Sequence, residues 1–293
     1  MTASDAAATK AAVLIEALPY IKRFYGKVVV VKYGGNVLTG ADEATALRLF
    51  AEDIVMMRSV GMRPIVVHGG GPQIAEMLKR LNLTSEFRNG LRVTDAATLE
   101  VARMVLVGKV NRDIVAAVNV HGSVAVGLSG EDANLLRVAC RDPQLGFVGD
   151  VTAVNTAVLQ RLLDDEFVPV IATIGTDGHG QAYNVNADTA AGAIAGAIRA
   201  EKLVYLTNIE GLRRDLGDPS TLISSIDTTE LQVMLDDGRL TEGMIPKIES
   251  CIHAIEHGVA KAHILDGRSP HALLLEIFTE EGIGTEVTRK ERW

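Results

Sequence analysis

Two lysines in this 293-residue sequence lie where a positive charge could serve an anionic ligand. Lys32 ends a strand-like run of four valines, just before the turn Gly34-Gly35. Ligands of α/β sheets bind at the carboxyl ends of strands, so its ammonium group is expected at that edge, although a solvated lysine also fits a strand end. Lys247 follows Ile245-Pro246 in the first turn of a predicted helix, where a cation opposes the helix dipole. A bound anion would explain that position, and an ordinary first-turn lysine is the alternative.

Asp188 is the candidate carboxylate. It follows Asn184 and Asn186 at alternating positions, so the three side chains are expected on one face of an extended segment just before a helix. Asp188 also suits the N-cap of that helix, and both roles can hold together.

Two glycine-rich turns, Gly34-Gly35 and Gly69-Gly70-Gly71, come directly after predicted strands and before predicted helices. Backbone N–H groups in such turns, together with a helix N-terminus, can hold an anion. Neither turn has the G-x-G-x-x-G spacing of dinucleotide-binding proteins, and the chain contains no G-x-x-x-x-G-K-[ST] motif. Tight turn geometry without a ligand is the other interpretation.

Hydrophobic patterning predicts the elements that would bring these residues together. Val28 to Val31 and Pro64 to Val67 are apolar runs, each followed by a glycine turn and a helix, which is typical of a parallel sheet with crossover helices. Further along we expect a long helix from Asp95 to Val120, hairpins from Arg137 to Val154, a strand from Val168 to Ala172, a glycine-rich turn from Gly175 to Gly180 and a helix from Thr189 to Ala200. No linker or repeat interrupts the pattern, which favours two lobes sharing one sheet.

An amphipathic helix precedes the first strand. Apolar residues recur at Val13, Ala17, Tyr20, Ile21 and Phe24, and Pro19 is expected to kink the helix. The apolar face must be covered by the body of the protein or by another subunit, and the spacing does not distinguish the two.

Composition restricts the class of protein. The apolar fraction is 47% with only 4% aromatic residues, which is typical of an α/β core of Ala, Val, Ile and Leu. A net charge of −8 argues against nucleic acid or an anionic membrane as the main partner. Cys140 and Cys251 are too few for a disulfide framework and lack metal-ligand spacing. Because neither a secretory signal nor a membrane-spanning apolar run is found, a soluble cytoplasmic protein is expected.

Five segments occur in a fixed order: Lys-Tyr-Gly-Gly-Asn at 32–36, His-Gly-Gly-Gly-Pro at 68–72, Asn-Gly-Leu-Arg-Val-Thr at 89–94, Asn-Val-Asn-Ala-Asp at 184–188 and Gly-Met-Ile-Pro-Lys at 243–247. Together they resemble the N-acetylglutamate kinases of the amino-acid kinase family. The likeness covers about Val13 to Thr288. The third and fourth segments separate this group from the carbamate, uridylate and aspartate kinases.

The resemblance implies an α/β fold, an open αβα sandwich with a mainly parallel central sheet and two lobes. Residues 1–26 would form an N-terminal oligomerisation helix. Residues 27–172 would form a lobe that binds acetylglutamate, and residues 173–293 a lobe that binds ATP and carries an arginine site.

Site residues are implied motif by motif. Lys32 and Lys247 would stabilise the transferred phosphoryl group, and Asp188 would orient both lysines. The acetylglutamate contacts would be Gly70, Gly71, Arg92 and Asn184, with Arg92 pairing with a substrate carboxylate. The ATP site would include Gly34, Gly35, Asn208, Gly211, Leu212, Arg213, Gly238, Arg239 and Leu240.

The implied reaction is ATP-dependent phosphorylation of the side-chain carboxylate of N-acetyl-L-glutamate, a step of L-arginine biosynthesis. That acceptor is already ionised near neutral pH, so no general base is expected. Phosphoryl transfer instead needs in-line alignment and positive charge around the phosphoryl oxygens. Two lysines, the amides of the glycine turns and Mg²⁺ carried on the phosphates would provide these.

The sequence departs from the family pattern in three places. Val37-Leu38 stands where Ala-Met is usual, Asn208 where Asp is usual, and Glu242 where Gly is common. The last two lie near the predicted nucleotide, so ATP affinity and the surroundings of Mg²⁺ are the expectations they affect most.

The segment Leu18-Pro19-Tyr20-Ile21 resembles the N-terminal extension of arginine-inhibited family members that form hexameric rings. The C-terminal stretch from Leu275 to Thr285 is similar to their arginine-binding segment. We therefore hypothesise a hexamer, a trimer of dimers, inhibited by L-arginine. Its regulatory site would involve Tyr20, Glu276, Gly282 and Gly284.

Three other functions are weighed against this one. A related kinase for glutamate or aspartate would require that Arg92 and Asn184 not bind an acetylated amino acid. A catalytically weak arginine sensor acting through its ring would have no need of Lys32, Lys247 and Asp188. A nicotinamide-dependent oxidoreductase lacks its glycine fingerprint.

Overall fold

The computed structural model describes residues 3–35, 43–88, 90–215, 217–240, 243–279 and 282–290. Some residues singled out from the sequence lie outside these ranges: Asn36, Val37, Leu38, Asn89 and Glu242.

Strands and helices alternate along most of the chain. The strands are β1 (Val28–Tyr33), β2 (Arg63–His68), β3 (Phe87–Arg88), β4 (Leu91–Arg92), β5 (Ala125–Ser129), β6 (Leu136–Cys140), β7 (Val148–Val154), β8 (Val168–Ala172), β9 (Ile174–Thr176), β10 (Ala182–Val185), β11 (Lys202–Thr207), β12 (Ser225–Asp227), β13 (Lys261–Asp266) and β14 (Thr285–Thr288). The helices are α1 (Ala3–Phe24), α2 (Glu43–Ser59), α3 (Gly71–Arg80), α4 (Ala96–Val105), α5 (Asn111–Asn119), α6 (Ala157–Asp164), α7 (Ala187–Ile198), α8 (Thr228–Asp236), α9 (Ile245–Glu256) and α10 (Ala272–Phe278). No described helix has both the length and the apolar character needed to cross a bilayer.

One sheet runs through the whole molecule. Its described strands lie in the order β12-β14-β13-β11-β1-β2-β8-β5, and β14 is antiparallel to its neighbour β13. The first half of the chain supplies β1, β2 and β5, and β1 pairs in parallel with β11 of the second half, from Val29 opposite Lys202 to Tyr33 opposite Leu206. The prediction of two lobes that share one mainly parallel sheet is therefore confirmed.

Helices cover both faces of this sheet, as expected for an αβα sandwich. Alternate residues of β1 face opposite cores: Val29 and Val31 contact the core under α1 to α5 and α10, and Val30 contacts the core under α6 to α9. Because both faces are buried, consecutive positions from Val28 to Val31 are apolar rather than alternate ones.

A small closed sheet of β6, β7, β9 and β10 lies beside the main one. The hairpin expected between Arg137 and Val154 is present as β6 and β7. The glycine-rich turn predicted to start at Gly175 was placed too early, because Gly175 pairs with Tyr183 inside β9. A Cβ at Gly175 would come within 2.5 Å of Val138 Cγ1, so this glycine serves close strand packing.

The long helix predicted from Asp95 to Val120 contains a break in regularity. A π-helical turn, Leu106–Val110, separates α4 from α5. It packs against a glycine turn, since a Cβ at Gly70 would lie 2.8 Å from Leu106 Cδ2 and 3.1 Å from Val110 Cγ2. Single π-helical turns of this kind often occur near functional sites.

The amphipathic helix α1 continues through Pro19, and its predicted apolar face is partly covered by the body. Phe24 is buried in the main core and Tyr20 packs against it. Towards the N-terminus, Val13, Leu14 and Ile15 are 57%, 64% and 68% exposed. The body of the protein thus covers the C-terminal part of the helix, and the apolar residues before it face outward.

Candidate active site

A cavity of roughly 630 Å³ opens at the carboxyl ends of β1, β2 and β11. It is lined by residues from both halves of the chain, including Lys32, Gly34, Gly35, Gly70, Gly71, Arg92, Asn184, Asp188, Asn208 and Lys247. Ligands of parallel α/β sheets bind at this edge, so the location suits a substrate site.

Asp188 lies between two lysines at the floor of the cavity. Its Oδ1 is 2.8 Å from Lys32 Nζ, and its Oδ2 is 2.9 Å from Lys247 Nζ. Lys32, Asp188 and Lys247 are only 9%, 8% and 5% exposed. Two ammonium groups and one carboxylate leave one net positive charge in a nearly dry site, where it acts strongly on a bound anion.

Burial and mutual charge set the protonation of this cluster. Burial by itself would raise the pKa of Asp188, but the charges of Lys247 and Lys32 outweigh it and hold that pKa well below its usual range. Burial lowers the pKa of Lys32, Asp188 opposes that shift, and Lys247 adds to it. Asp188 therefore stays ionised, while Lys32 loses its proton more easily than an ordinary lysine.

The first turn of α7 carries Asp188, and Asn186 caps it. The Asn186 side-chain oxygen accepts hydrogen bonds from the backbone N–H groups of Asp188, at 2.8 Å, and Thr189, at 3.2 Å. The prediction that Asp188 is the N-cap is therefore wrong, and the extended segment ends before it. Asn186 takes the cap two residues earlier, which leaves the Asp188 carboxylate for the lysines.

Lys247 lies in the first turn of α9, as predicted, with Pro246 beside it at the helix start. The Asp188 carboxylate contacts the Lys247 ammonium group and offsets its unfavourable position relative to the helix dipole, so a bound anion at Lys247 stays a prediction.

The glycine turns approach each other closely across the cavity. A Cβ at Gly35 would lie 3.0 Å from Pro72 Cδ and 3.3 Å from the Gly71 backbone nitrogen. His68, which precedes the second turn, is fully buried and contacts Asn111 Nδ2 through Nε2 at 3.1 Å. Burial lowers the pKa of His68 to about 4, so the ring is neutral near pH 7.

Arg92 and Asn184 extend the cavity away from the lysines. Arg92 Nη2 donates to the Gly71 carbonyl at 2.9 Å, Nη1 donates to Ser85 Oγ, and the guanidinium lies 4.6 Å from the centroid of Phe87. Asn184 Nδ2 donates to Thr94 Oγ1 at 3.3 Å. Arg92 thus ties the β3–β4 hairpin to the second glycine turn while remaining on the cavity wall.

The residues expected around a nucleotide are only partly brought together. Asn208 lines the cavity, whereas Gly211, Leu212 and Arg213 are not part of its lining. The Leu212 side chain is buried in the core, and its N–H donates to Thr285 Oγ1 at 2.8 Å. The segment Gly238 to Leu240 does not line this cavity either.

Some cavity residues were missed from the sequence: Thr173, Thr207 and Met244. Thr173 directly follows β8, and Thr207 is the last residue of β11. Both therefore lie at the carboxyl edge of the sheet, like Lys32, and that position could have identified them as cavity residues.

A second buried polar cluster lies in the C-terminal half, at the amino end of β11. His263 Nδ1 is 2.6 Å from Glu276 Oε1, His263 Nε2 is 3.1 Å from Lys202 Nζ, and Lys202 Nζ is 5.2 Å from the ring centroid of Phe24. Gly282 adjoins Glu276, because a Cβ there would lie 3.1 Å from Glu276 Oε2. Gly284 packs on β13, since its Cβ would lie 2.2 Å from the Ile264 carbonyl oxygen.

Residues 27–266 match the family model described as the amino acid kinase family. The chain is 55% identical to an acetylglutamate kinase from Symbiobacterium thermophilum, covering 96% of this chain and 98% of that protein. It is 51% identical to the acetylglutamate kinase from Geobacter sulfurreducens, with 96% and 98% covered. The chain belongs to the acetylglutamate kinases of the amino acid kinase family. The family resemblance carried by the five sequence segments is thereby confirmed.

Solved structures agree with this family. The N-acetylglutamate synthase from Neisseria gonorrhoeae, crystallised with coenzyme A and N-acetyl-glutamate, superposes with a TM-score of 0.83 at 29% identity. That match covers 96% of this chain but 64% of the synthase, so this acetylglutamate kinase family member spans about two thirds of the longer protein. Carbamate kinase from Giardia lamblia, at 15% identity and a TM-score of 0.71, shares the fold.

Proposed function

We propose that the protein transfers the γ-phosphoryl group of ATP to the side-chain carboxylate of N-acetyl-L-glutamate, giving N-acetyl-L-glutamyl 5-phosphate. The observation that carries the proposal is the Lys32–Asp188–Lys247 cluster between two glycine turns, in a chain 55% identical to an acetylglutamate kinase. A buried site with net positive charge suits a transition state whose negative charge spreads over the phosphoryl oxygens.

The chain's own residues account for the main requirements of this transfer. The acceptor carboxylate is ionised near pH 7, so the site needs no base. Lys32 and Lys247 reach the cavity from opposite sides of Asp188, which fixes the separation of their ammonium groups. The backbone N–H groups of Gly34 and Gly69 already donate to the carbonyls of Leu206 and Tyr33, so Gly35, Gly70 and Gly71 would supply the uncharged donors. Holding these groups in place before the reaction lowers the barrier, because no reorganisation is needed during transfer.

Arg92 is our candidate partner for a carboxylate of acetylglutamate. Its contacts with the Gly71 carbonyl and Ser85 hold the guanidinium in position, and each terminal nitrogen keeps a second N–H. Asn184 reaches the same wall from β10, which pairs with β7 at Val148 and so belongs to the small closed sheet. We assign acetylglutamate to the lobe formed by residues 27–172 together with Asn184 of β10.

We assign ATP to the lobe formed by residues 173–293. Asn208 would face the phosphates. Gly211 to Arg213 and Gly238 to Leu240 would border the nucleoside, outside the cavity. Asp188 is a poor candidate for a metal ligand because both of its carboxylate oxygens contact lysines. No group of three His, Cys, Asp or Glu side chains suitable for a metal occurs in the described ranges. We propose that the phosphates of ATP carry Mg²⁺, which would neutralise part of their charge.

The function is tested by trapping the acyl phosphate as a hydroxamate. Purified protein with MgATP is expected to turn over acetylglutamate and to leave glutamate and aspartate largely unreacted. Equal turnover of glutamate would favour the related-kinase alternative. Absence of turnover on every acceptor would contradict the proposal, and Asn208, which stands where an aspartate is usual, would be the first position to restore.

We further propose feedback inhibition by L-arginine at the cluster of Lys202, His263 and Glu276. The synthase from N. gonorrhoeae was crystallised with coenzyme A and L-arginine, and it superposes at a TM-score of 0.81. Burial would raise the pKa of Glu276, but the contacts with His263, the Ile283 N–H and the charge of Lys202 together outweigh it. The pKa lies below its ordinary value, so the carboxylate stays ionised, as pairing with a guanidinium requires. Tyr20, Gly282 and Gly284 lie on the elements around this cluster.

Arginine control is tested by inhibition curves for the wild type and two variants. Glu276→Gln is expected to weaken inhibition at least ten-fold, because a charge-assisted pair is lost. Glu230→Gln is the matched control, since Glu230 lies on α8 and pairs with Arg214, not with a residue of the cluster. Unchanged inhibition in Glu276→Gln would reject this site.

The proposed hexamer rests on the exposed apolar residues in the middle of α1, Val13, Leu14 and Ile15. Leu14→Glu with Ile15→Glu retains Phe24 in the core and puts two charges on the outward surface. We expect the mass by light scattering to fall from that of a hexamer to that of a dimer. The same mass for both chains would contradict a role of α1 in assembly.

A further inference from the structure

Strand β11 carries a tyrosine among aliphatic residues, directly behind the candidate catalytic cluster. Tyr205 is fully buried, and Lys247 Nζ lies 5.0 Å from the centroid of its ring. The ammonium group therefore has the Asp188 carboxylate on one side and the face of an aromatic ring on another. An aromatic face attracts a cation through its quadrupole, and the attraction is stronger where water is excluded.

The hydroxyl group of the same tyrosine reaches the other half of the cluster. Tyr205 Oη donates to Ser250 Oγ at 2.6 Å, and Ser250 Oγ donates to the Asp188 backbone carbonyl at 2.7 Å. Burial raises the pKa of Tyr205 well above its ordinary value, so the phenol keeps its proton and remains a donor. One chain of contacts thus joins β11, α9 and the first turn of α7.

Close packing of α7 on α9 makes this chain possible. A Cβ at Gly192 would lie 2.0 Å from Ser250 Oγ, so only glycine lets the hydroxyl reach the Asp188 carbonyl. Lys247 and Ser250 are three residues apart on α9, and neighbouring positions at this spacing lie on one face of a helix. The same face therefore presents the lysine to the cavity and the serine to Tyr205.

We propose that Tyr205 is a positioning residue for phosphoryl transfer: its ring holds the ammonium group of Lys247 in place, and its hydroxyl fixes the segment that carries Asp188. This assignment rests on the proposed function. A carboxylate in the place of the ring would also hold Lys247, but it would cancel the net positive charge of the cluster. The ring attracts the ammonium group without a formal charge of its own, and the positive charge remains for the phosphoryl oxygens.

The first measurement compares kcat and KM for Tyr205→Phe and Tyr205→Leu in the full chain. The phenylalanine variant keeps the ring and is expected to keep kcat within about three-fold, since one neutral hydrogen bond is lost. The leucine variant is expected to lower kcat about 10- to 30-fold with little change in either KM. Leu203→Ala, two residues earlier on the same face of β11, controls for the loss of core volume. Equal losses of kcat in Leu203→Ala and Tyr205→Leu would overturn the assignment.

A second measurement does not depend on the leucine variant folding. Phenylalanine with zero, one, two and three ring fluorines is placed at position 205, which weakens the quadrupole while the volume hardly changes. We expect kcat to fall stepwise by about ten-fold in total, with both KM values constant. If kcat were the same in all four active variants, or if only KM changed, the proposed role of the ring would be overturned. Absence of wild-type turnover on acetylglutamate would remove the proposed function and, with it, this assignment.

Discussion

At the scale of single residues, the site depends on three charges in a confined space. A buried carboxylate between two lysines is a weak source of folding stability. Desolvation costs several kcal/mol per ion, and the attraction between the charges must first compensate that cost. The arrangement makes sense as a holder for a ligand that brings further negative charge. Such a ligand would gain the lysine contacts without disturbing the carboxylate that separates them.

Removing either lysine should mainly slow the chemical step. For Lys32→Ala and Lys247→Ala we expect barrier increases of about 2 to 4 kcal/mol, the size found for one preorganised donor. Steady-state kcat measures this directly. Lys27→Ala is the control, because Lys27 precedes the same strand but is half exposed and pairs with Glu201. A comparable loss of kcat in Lys27→Ala would show that any positive charge near β1 supports catalysis, and would contradict a specific role for Lys32 in the cavity.

The buried His68 should make stability depend on pH. Its pKa is about 4 when folded and 6.5 when unfolded, so the unfolded chain binds the proton first as pH falls. The stability from neutral His68 is complete above pH 6.5 and is lost as pH falls towards about 4. We expect about 2 kcal/mol less stability at pH 5 than at pH 7 from this group. Guanidinium unfolding at both pH values, compared with His68→Gln, measures it; equal pH dependence in both chains would contradict the assignment.

At the scale of secondary structure, short irregular features position the site more than the regular elements do. The π-helical turn before α5 places Leu106 and Val110 against Gly70. Directly after that turn, Asn111 contacts His68, which precedes the glycine turn. A regular helix would rotate these side chains by a fraction of a turn and release both contacts.

The N-cap of α7 gives the prediction at this scale. Asn186→Ala removes the acceptor for the N–H groups of Asp188 and Thr189 and should cost about 1 kcal/mol of unfolding free energy. Because the frayed turn carries Asp188, kcat should fall as well. Asn186→Ser keeps a capping oxygen and is expected to restore most of both quantities. Failure of serine to restore kcat would mean that Asn186 contacts substrate directly.

The same elements show what could be predicted from the sequence. Lys32 and the glycine turns were located correctly because a buried strand followed by glycine is a local signal. The cap of α7 was assigned to Asp188 because asparagine and aspartate cap equally well and the sequence does not specify which begins the helix. Tyr205 and Lys202 gave no signal, since their roles depend on which strands and helices pack together.

At the scale of the whole molecule, the lobes are parts of one sheet and not separable domains. Strand β1 lies between β11 and β2, with parallel pairing on both sides. The small closed sheet likewise takes β6 and β7 from one half of the chain and β9 and β10 from the other. Cutting the chain near residue 172 would therefore break two sheets.

Residues 27–172 expressed alone should not form a stable monomer. Without β11, strand β1 would become the edge of the sheet in this fragment. An apolar edge strand with unpaired backbone N–H and C=O groups promotes aggregation. We expect aggregation, or circular dichroism without a cooperative thermal transition. A soluble monomer that melts cooperatively would show that this lobe folds alone, contrary to the continuity of the sheet.

Strand β11 begins at Lys202, beside His263, and ends at Thr207 on the wall of the main cavity. The strand is about 16 Å long, so the cluster at Lys202 and the cavity wall at Thr207 lie about that far apart. Neighbouring strands hold β11 on both sides, so it cannot slide independently of them. A displacement of Lys202 would therefore carry β1 and β13 with it, and would change the shape of the sheet rather than the position of one strand.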